Sequence, residues 1–139
     1  MSDYISNQEV HNIVKEQLGS KLGQDYKFHT PDRKYFCPSV GYVQKLIQHS
    51  SVDKNQWIEE RFDCDDFALV LKAYFAKAAY TIKQIQAPFC FGIVWGNLPH
   101  PHAINWMINN DRKLRFIEPQ SDEIYYPKND QHNIWFMYV

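Results

Sequence analysis

Apolar positions in the first eighty residues recur at helical spacing. Ser6 and Glu9 form a capping box ahead of the first apolar run, and Gly19 closes that run. Ser39 is placed to cap a second run of the same period. A third run begins near Cys64 and is apolar on nearly every side. Such a run predicts a buried central helix.

After residue 84 the pattern changes to short apolar runs separated by turn residues, which is typical of strands. The turn Asn109–Arg112 predicts a hairpin. Residues 20–38 contain glycine and proline and are predicted to be loop, with a short strand near 26–28. The predicted strands cover residues 89–95, 102–108, 114–117, 124–126 and 134–139. Helices followed by an antiparallel sheet predict an α+β fold, and residues 1–139 are expected to form a single domain.

Composition narrows the class of protein. Hydrophobic residues make up 45% and aromatic residues 16% of the 139-residue chain, so a globular domain is expected. A net charge of -1 argues against a nucleic-acid partner, and the longest apolar run is too short to span a membrane. The three cysteines are few and lack a CxxC pair, and the N-terminus lacks a signal-peptide pattern. The cytoplasm is therefore the default location, with non-classical export left open.

The segment around Cys64 carries the strongest chemical signal. Asp63 is placed as an N-cap, with Asp66 three residues later, so Cys64 would be the first residue of the central helix. A helix N-terminus carries about half a positive charge and stabilises a thiolate. Because the thiolate is the nucleophilic form, Cys64 is a candidate nucleophile.

A general base and an orienting acid follow downstream. His102 is the candidate base, and Glu118 is the candidate acid that would hold the imidazole in one tautomer. Both flank the Asn109–Arg112 turn on adjacent antiparallel strands. A turn of odd length would place them directly opposite on one face of the sheet, whereas an even length would place them on opposite faces.

Other interpretations of these residues stay open. Asp63 and its acidic neighbours would raise the pKa of Cys64 unless they only cap the helix, point outward or bind a hard cation. Cys64 with His100 and His102 could instead ligate zinc, although a fourth closely spaced ligand is missing. Cys37 and Cys90 are expected to be buried core thiols. The metal content of the site is therefore unknown from the sequence.

Three motifs in this order resemble the papain-like and transglutaminase-like cysteine peptidase superfamily, closest to the C-terminal protease domain of the fairy-ring mushroom agglutinin. The motifs are the run Asp63 to Ala68, the pair His102-Ala103 and the pair Glu118-Pro119. The resemblance covers residues 57–120. It implies a papain-like cysteine proteinase fold, in which N-terminal helices, including a central helix that bears the cysteine, pack on a C-terminal antiparallel sheet.

The resemblance also implies roles for individual residues. Cys64, His102 and Glu118 would form the catalytic triad, and Trp57 and Gln120 would line the substrate and oxyanion region. Calcium is a candidate cofactor by resemblance, although the chemistry itself requires none. The bacterial members usually have aspartate where this chain has the glutamate.

The expected function is therefore that of a thiol-dependent hydrolase. As a cysteine peptidase or amidase, the protein would form an acyl-enzyme on Cys64 with a peptide or protein substrate. Two alternatives remain open: a transglutaminase-like acyltransferase, and a non-catalytic binding module that keeps the fold. The sequence leaves the natural substrate and the oligomeric state open.

Overall fold

The computed structural model describes residues 2–128 and 131–139. Within these residues the helices are α1 (Asn7–Leu18), α2 (Val40–Ser50) and α3 (Cys64–Thr81), with short 3-10 helices at Gly19–Lys21 and Val52–Lys54. The strands are β1 (Tyr4–Ser6), β2 (Leu22–His29), β3 (Lys34–Phe36), β4 (Phe91–Asn97), β5 (Pro101–Ile108), β6 (Leu114–Glu118), β7 (Glu123–Tyr125) and β8 (Asn133–Tyr138). None of the helices in the described part of the chain is long and apolar enough to cross a membrane.

The predicted helix starts are confirmed by their caps. The Ser6 hydroxyl accepts a hydrogen bond from the Glu9 backbone N–H at 3.1 Å, and the Glu9 carboxylate accepts from the Ser6 backbone N–H at 3.0 Å. The Ser39 hydroxyl accepts from the Tyr42 backbone N–H at 3.1 Å. These local bonds satisfy N–H groups that have no partner within the helix, so the sequence alone locates both starts.

The prediction of an antiparallel sheet is wrong. The six-stranded sheet has the order β2-β8-β4-β5-β6-β7 and is mixed, because β2 runs parallel to β8 while the other pairs are antiparallel. β1 and β3 form a separate two-stranded antiparallel sheet. Both β2 and β3 lie in the segment predicted to be mostly loop. β2 is an edge strand with no fully buried residue, so its sequence lacks the apolar alternation that marks a half-buried strand.

Alternate residues of the central strands face two separate cores. Phe91 and Met107 belong to the core that contains α2 and α3, where the Phe91 ring stacks on Phe75 with centroids 3.9 Å apart. Ile104 and Trp106 belong to the core that contains α1. This two-residue period follows from the pleat of a strand, and it places one helical layer on each side of the sheet.

One buried amide connects α3 to the sheet. The Asn105 side chain donates to the carbonyl oxygens of Ala68 at 2.9 Å and Gly92 at 3.1 Å, and the residue is fully buried. Ala68 lies in the second turn of α3, and Asn105 lies in the middle of β5. The bond therefore holds the first half of α3, with Cys64 at its start, against β5.

Candidate functional site

A tight turn precedes α3 and directs the chain into the helix. The backbone groups of Ile58 and Phe62 hydrogen bond to each other in both directions, at 2.8 and 2.7 Å. Asp63 is the N-cap, and its backbone N–H donates to the Asp66 carboxylate at 3.2 Å. Cys64 is the first helical residue and is partly buried. The predicted position of the thiol in the fold is therefore confirmed.

The predicted activation of that thiol is wrong. Burial raises the pKa of Cys64 above its ordinary value, and the negative charges of Asp65 and Asp63 raise it further. Hydrogen bonds from the backbone at Ala103 and Asp65 act in the opposite direction and do not offset the increase. The thiol is therefore protonated at neutral pH in this structure, despite its place at a helix N-terminus.

Three carboxylates cluster beside the thiol. Asp63, Asp65 and Asp66 can each present one oxygen so that all three atoms lie within 4.8 Å of one another. A hydrogen bond with Asp65 is the largest cause of a raised pKa at Asp63, since two neighbouring carboxyl groups share a proton more readily than both carry charge. Calcium takes six to eight oxygen ligands, so these residues would supply part of a shell, and calcium binding stays a prediction.

The structure brings His102 and Glu118 together. His102 Nε2 and Glu118 Oε2 are 2.8 Å apart, and the second carboxylate oxygen accepts the Gln120 backbone N–H at 3.2 Å. Because a carboxylate only accepts, Nε2 must carry the proton that the imidazole donates. In the neutral ring, Nδ1 is then a hydrogen-bond acceptor that can face a ligand.

The register explains why this pair meets. Ile108 pairs with Leu114, so the hairpin loop has an odd number of residues, and His102 and Glu118 share one face of the sheet. They are not directly opposite, because Glu118 lies across from Ile104 when the register is continued. A diagonal pair on adjacent strands is within reach of long side chains, which accounts for the hydrogen bond.

The two remaining predicted residues lie in loops next to α3 and β6. Trp57 is half-exposed in the loop before α3. Gln120 lies in the turn after β6, where its backbone supports Glu118. From the sequence, Ala103 is identified only as part of the motif pair with His102, and the hydrogen bond between its backbone and the Cys64 thiol is missed. This contact links the thiol to β5, the strand that bears His102.

The alternative zinc site is not supported. The His100 and His102 rings stack with centroids 5.4 Å apart, and Nε2 of His102 is engaged by Glu118. Among the residues that the structure describes, the side chains that converge as metal ligands are the three aspartates beside Cys64, not this histidine pair with the thiol.

The family of the chain follows from its sequence. Residues 35–124, well over half of the chain, match the model of the Agglutinin C-terminal family. The chain belongs to the Agglutinin C-terminal family. No curated protein matches the chain in sequence.

Two solved structures share the fold. One, described as the PSL1a-E64 complex, superposes with a TM-score of 0.84 at 26% sequence identity over 99% of this chain and 52% of that chain. The other is the lectin of Polyporus squamosus bound to the human-type influenza-binding epitope Neu5Acα2-6Galβ1-4GlcNAc. Its TM-score is 0.79 at 25% identity, over 99% of this chain and 50% of that chain. This chain therefore spans about half the length of these structures.

These matches correct the identification made from the motifs. The family is the Agglutinin C-terminal family, and the fold matches about half of the Polyporus squamosus lectin chain, so the assignment to a papain-like proteinase fold is overturned. The prediction of a cysteine peptidase with a catalytic triad is overturned by the same matches. The motifs led to a wrong identification because they give only the positions of the cysteine and of the histidine–glutamate pair. The pKa of the thiol depends on its environment, which the motifs do not contain.

Proposed function

We propose that this chain is a non-catalytic binding module of the agglutinin type and that its ligands are carbohydrates. The observation that carries the proposal is the family membership, together with a structural neighbour that is a lectin bound to a sialylated glycan. The raised pKa of Cys64 supports a binding role, because a protonated thiol is a poor nucleophile. This proposal replaces a peptide partner with a glycan partner.

We further propose that the ligand is bound near the starts of α3 and β5, with contacts from Cys64, His102, Glu118, Trp57 and Gln120. The His102–Glu118 pair is a fixed polar group, since each side chain holds the other in one orientation. The half-exposed indole of Trp57 offers an apolar face, and the Gln120 amide can donate and accept. A polar ligand with hydroxyl groups and apolar ring faces suits such a set.

Titration of the whole chain with glycans tests this function. We expect saturable binding of Neu5Acα2-6Galβ1-4GlcNAc or of its neutral part, Galβ1-4GlcNAc, by calorimetry and by amide chemical shifts. Maltose, a disaccharide of glucose alone, is the control ligand. If no glycan from a broad array binds the folded protein at any concentration tested, the proposal is wrong.

The Cys64→Ala variant tests the non-catalytic part of the proposal. We expect its glycan affinity to lie within about twofold of the original, because a protonated thiol contributes little more than packing. A peptide library supplies the second measurement, made with and without added calcium. If the original chain cleaves peptides and the Cys64→Ala variant does not, the non-catalytic role is refuted and the protein is a hydrolase.

A further inference from the structure

Two of the three cysteines lie where the small sheet joins the six-stranded sheet. Cys37 directly follows β3, and Cys90 directly precedes β4. The residues before them, Phe36 and Phe89, form an isolated parallel bridge. In this bridge the Phe36 N–H donates to the Pro88 carbonyl oxygen at 2.8 Å, and the Cys90 N–H donates to the Phe36 carbonyl oxygen at 2.7 Å. The register of the bridge makes Cys37 and Cys90 direct neighbours on adjacent chain segments.

The side chains of the bridge and of the cysteine pair point to opposite cores. Phe36 packs against the core of α2 and α3, to which Phe89 belongs, and the two ring centroids are 5.4 Å apart. Cys37 and Cys90 are both fully buried in the core of α1. Successive residues of an extended segment alternate in direction, so the two thiols face each other on one side. Neighbours on adjacent strands have Cα atoms about 4.8 Å apart, a separation that a disulfide can span.

The two thiols are in contact but differ in acidity. A hydrogen bond with the Cys90 thiol lowers the pKa of Cys37 below its ordinary value and outweighs the opposing effects of burial and of two nearby carboxylates. The Arg112 guanidinium also lowers this pKa. Burial raises the pKa of Cys90 well above its ordinary value. Cys37 is therefore the thiol that ionises first, and Cys90 is the one that keeps its proton.

A cavity of about 210 Å³ leads to Cys37, which lines it together with Asp3, Ser39 and Asn110. A water molecule takes up about 30 Å³, so hydrogen peroxide, which is not much larger, fits in this space. Oxidised glutathione, a peptide disulfide, is too large for it. Because Cys37 has no exposed surface, its sulfur is reached only when the cavity wall moves slightly, and a reaction there should be slow.

From this geometry we infer that Cys37 and Cys90 form a modification site, a dithiol that a small hydroperoxide converts into a reversible disulfide. This inference does not depend on the proposed carbohydrate function. A reactive cysteine placed next to a second thiol is the arrangement that favours a disulfide over further oxidation of a single sulfur.

The reaction has two steps. In the first, the Cys37 sulfur attacks one oxygen of hydrogen peroxide, so that an S–O bond forms and the O–O bond breaks. The leaving hydroxide takes up the proton that Cys37 released on ionisation and departs as water. In the second, the Cys90 sulfur attacks the Cys37 sulfur, so that the S–S bond forms and the S–O bond breaks. The hydroxide takes the Cys90 proton, and two electrons have passed from the sulfurs to the peroxide, which yields two waters.

The disulfide would tie the small sheet covalently to the start of β4. It closes the long loop between residues 37 and 90, which contains α2 and α3. A cross-link across a long loop reduces the entropy of the unfolded chain. We therefore expect the oxidised chain to melt about 5–10 °C above the reduced chain.

Treatment of the folded whole chain with hydrogen peroxide tests the site. After alkylation in denaturant and digestion, we expect mass spectrometry to find the peptides of Cys37 and Cys90 linked to each other. Cys64 should be recovered as a separate alkylated thiol, because burial and its acidic neighbours keep it protonated. Dithiothreitol should restore all three thiols and lower the Tm to that of the reduced chain. Cys64→Ala is the matched control and should form the same link.

The Cys90→Ala variant isolates the first step. Without the second thiol, the sulfenic acid on Cys37 has no partner inside the protein, so dimedone should trap it. The unaltered chain should give at most about a tenth of this adduct, since Cys90 removes the sulfenic acid as it forms. Circular dichroism checks that the variant is folded. Equal adduct from both chains would overturn the role of Cys90.

Other results would also contradict the inference. Linkage of Cys64 to either cysteine, or oxidation of Cys37 to a sulfinic acid without any link, would overturn the pair as a modification site. A folded chain in which excess peroxide modifies neither Cys37 nor Cys90 would do the same. Oxidised glutathione is the comparison oxidant, and linkage at the same rate with this larger molecule would overturn the small hydroperoxide as the reactant.

Discussion

At the scale of single residues, the environment of Cys64 decides its chemistry more than its position does. A helix N-terminus contributes a partial positive charge, which acts within the first turn. Burial and the carboxylates of Asp63 and Asp65 act on the same thiol in the opposite direction and dominate. The sequence gives both the helix start and the acidic neighbours, but it does not give the depth of burial, so the direction of the pKa shift could not be predicted.

Alkylation measures that shift directly. We expect Cys64 to react with iodoacetamide more slowly at pH 8 than a free cysteine does, because less of it is thiolate. Asp65→Asn removes a like charge, so the pKa should fall and the rate should rise roughly two- to threefold. Asp32→Asn is the control. Fast alkylation of the unaltered chain at pH 6, located on Cys64 by mass spectrometry, would contradict the raised pKa.

The shifted pKa of a second residue, Asp122, predicts that the free energy of unfolding depends on pH. Burial, with the charge of Asp53, raises the pKa of Asp122 to about 6, from 3.8 in a model compound. The folded state then binds the proton more tightly than the unfolded state, so the free energy of unfolding falls as pH rises from about 4 to about 6. Asp122 has a positive φ of 64°, a conformation that asparagine also tolerates.

The Asp122→Asn variant should therefore be more stable than the unaltered chain at pH 7. We expect a gain of about 1 kcal/mol in the free energy of unfolding, because the side chain is only partly buried and solvent screens its charge. At pH 4 the gain should vanish, since the carboxyl group is then protonated in the folded state. Urea unfolding at both pH values checks this, with exposed Asp111→Asn as the control. An equal gain at both pH values would rule out the carboxylate as the cause.

At the scale of elements, helix starts and buried strands can be predicted from local signals such as caps and apolar periods. The pairing of strands that are distant in sequence cannot be predicted in this way. The starts of α1, α2 and α3 and the strands β4 to β6 follow from local sequence, because a cap or a buried run is specified by neighbouring residues. The strands β1 and β3 could not be predicted in this way, and of β2 only the part near residues 26–28 was predicted. Their pairing partners lie far away in sequence, with β2 joined to the C-terminal β8, and no local pattern encodes that choice.

Replacing two glycines by alanine, one in a strand and one in a helix, should change the free energy of unfolding in opposite directions. A side-chain carbon at Gly92 in β4 would lie 1.8 Å from the Tyr138 carbonyl oxygen and 2.8 Å from the Trp106 indole nitrogen. Gly92→Ala should therefore lower the free energy of unfolding by about 3 kcal/mol or more. Gly41 in α2 has no atom within 4 Å of the corresponding point, so Gly41→Ala should raise stability by up to about 1 kcal/mol. Urea unfolding of both variants is the measurement, and equal signs would contradict the packing described.

At the scale of the whole molecule, the sheet separates two cores that share their strands. α1 packs on one face and α2 and α3 pack on the other, while β4 and β5 contribute alternate residues to both. The candidate residues come from both sides of this arrangement, since Cys64 begins a helix on one face and the register places His102 and Glu118 on the face that carries α1. The sequence leaves open whether His102 and Glu118 share a face, because that depends on the length of the hairpin loop, and it does not predict the relation between the layers, which long-range contacts determine.

Shared strands predict that the two cores unfold together as a single domain. Phe75→Ala damages the core of α3 and should cost about 3–5 kcal/mol, and Leu18→Ala damages the core of α1 and should cost about 2–5 kcal/mol. In both variants we expect one unfolding transition, with the same midpoint by helical circular dichroism and by tryptophan fluorescence. Tyr80→Ala, at an 81% exposed position, should leave the midpoint unchanged. Separate transitions in either core variant would mean that the faces fold independently, and the strands would then not couple them as the alternation of buried residues implies.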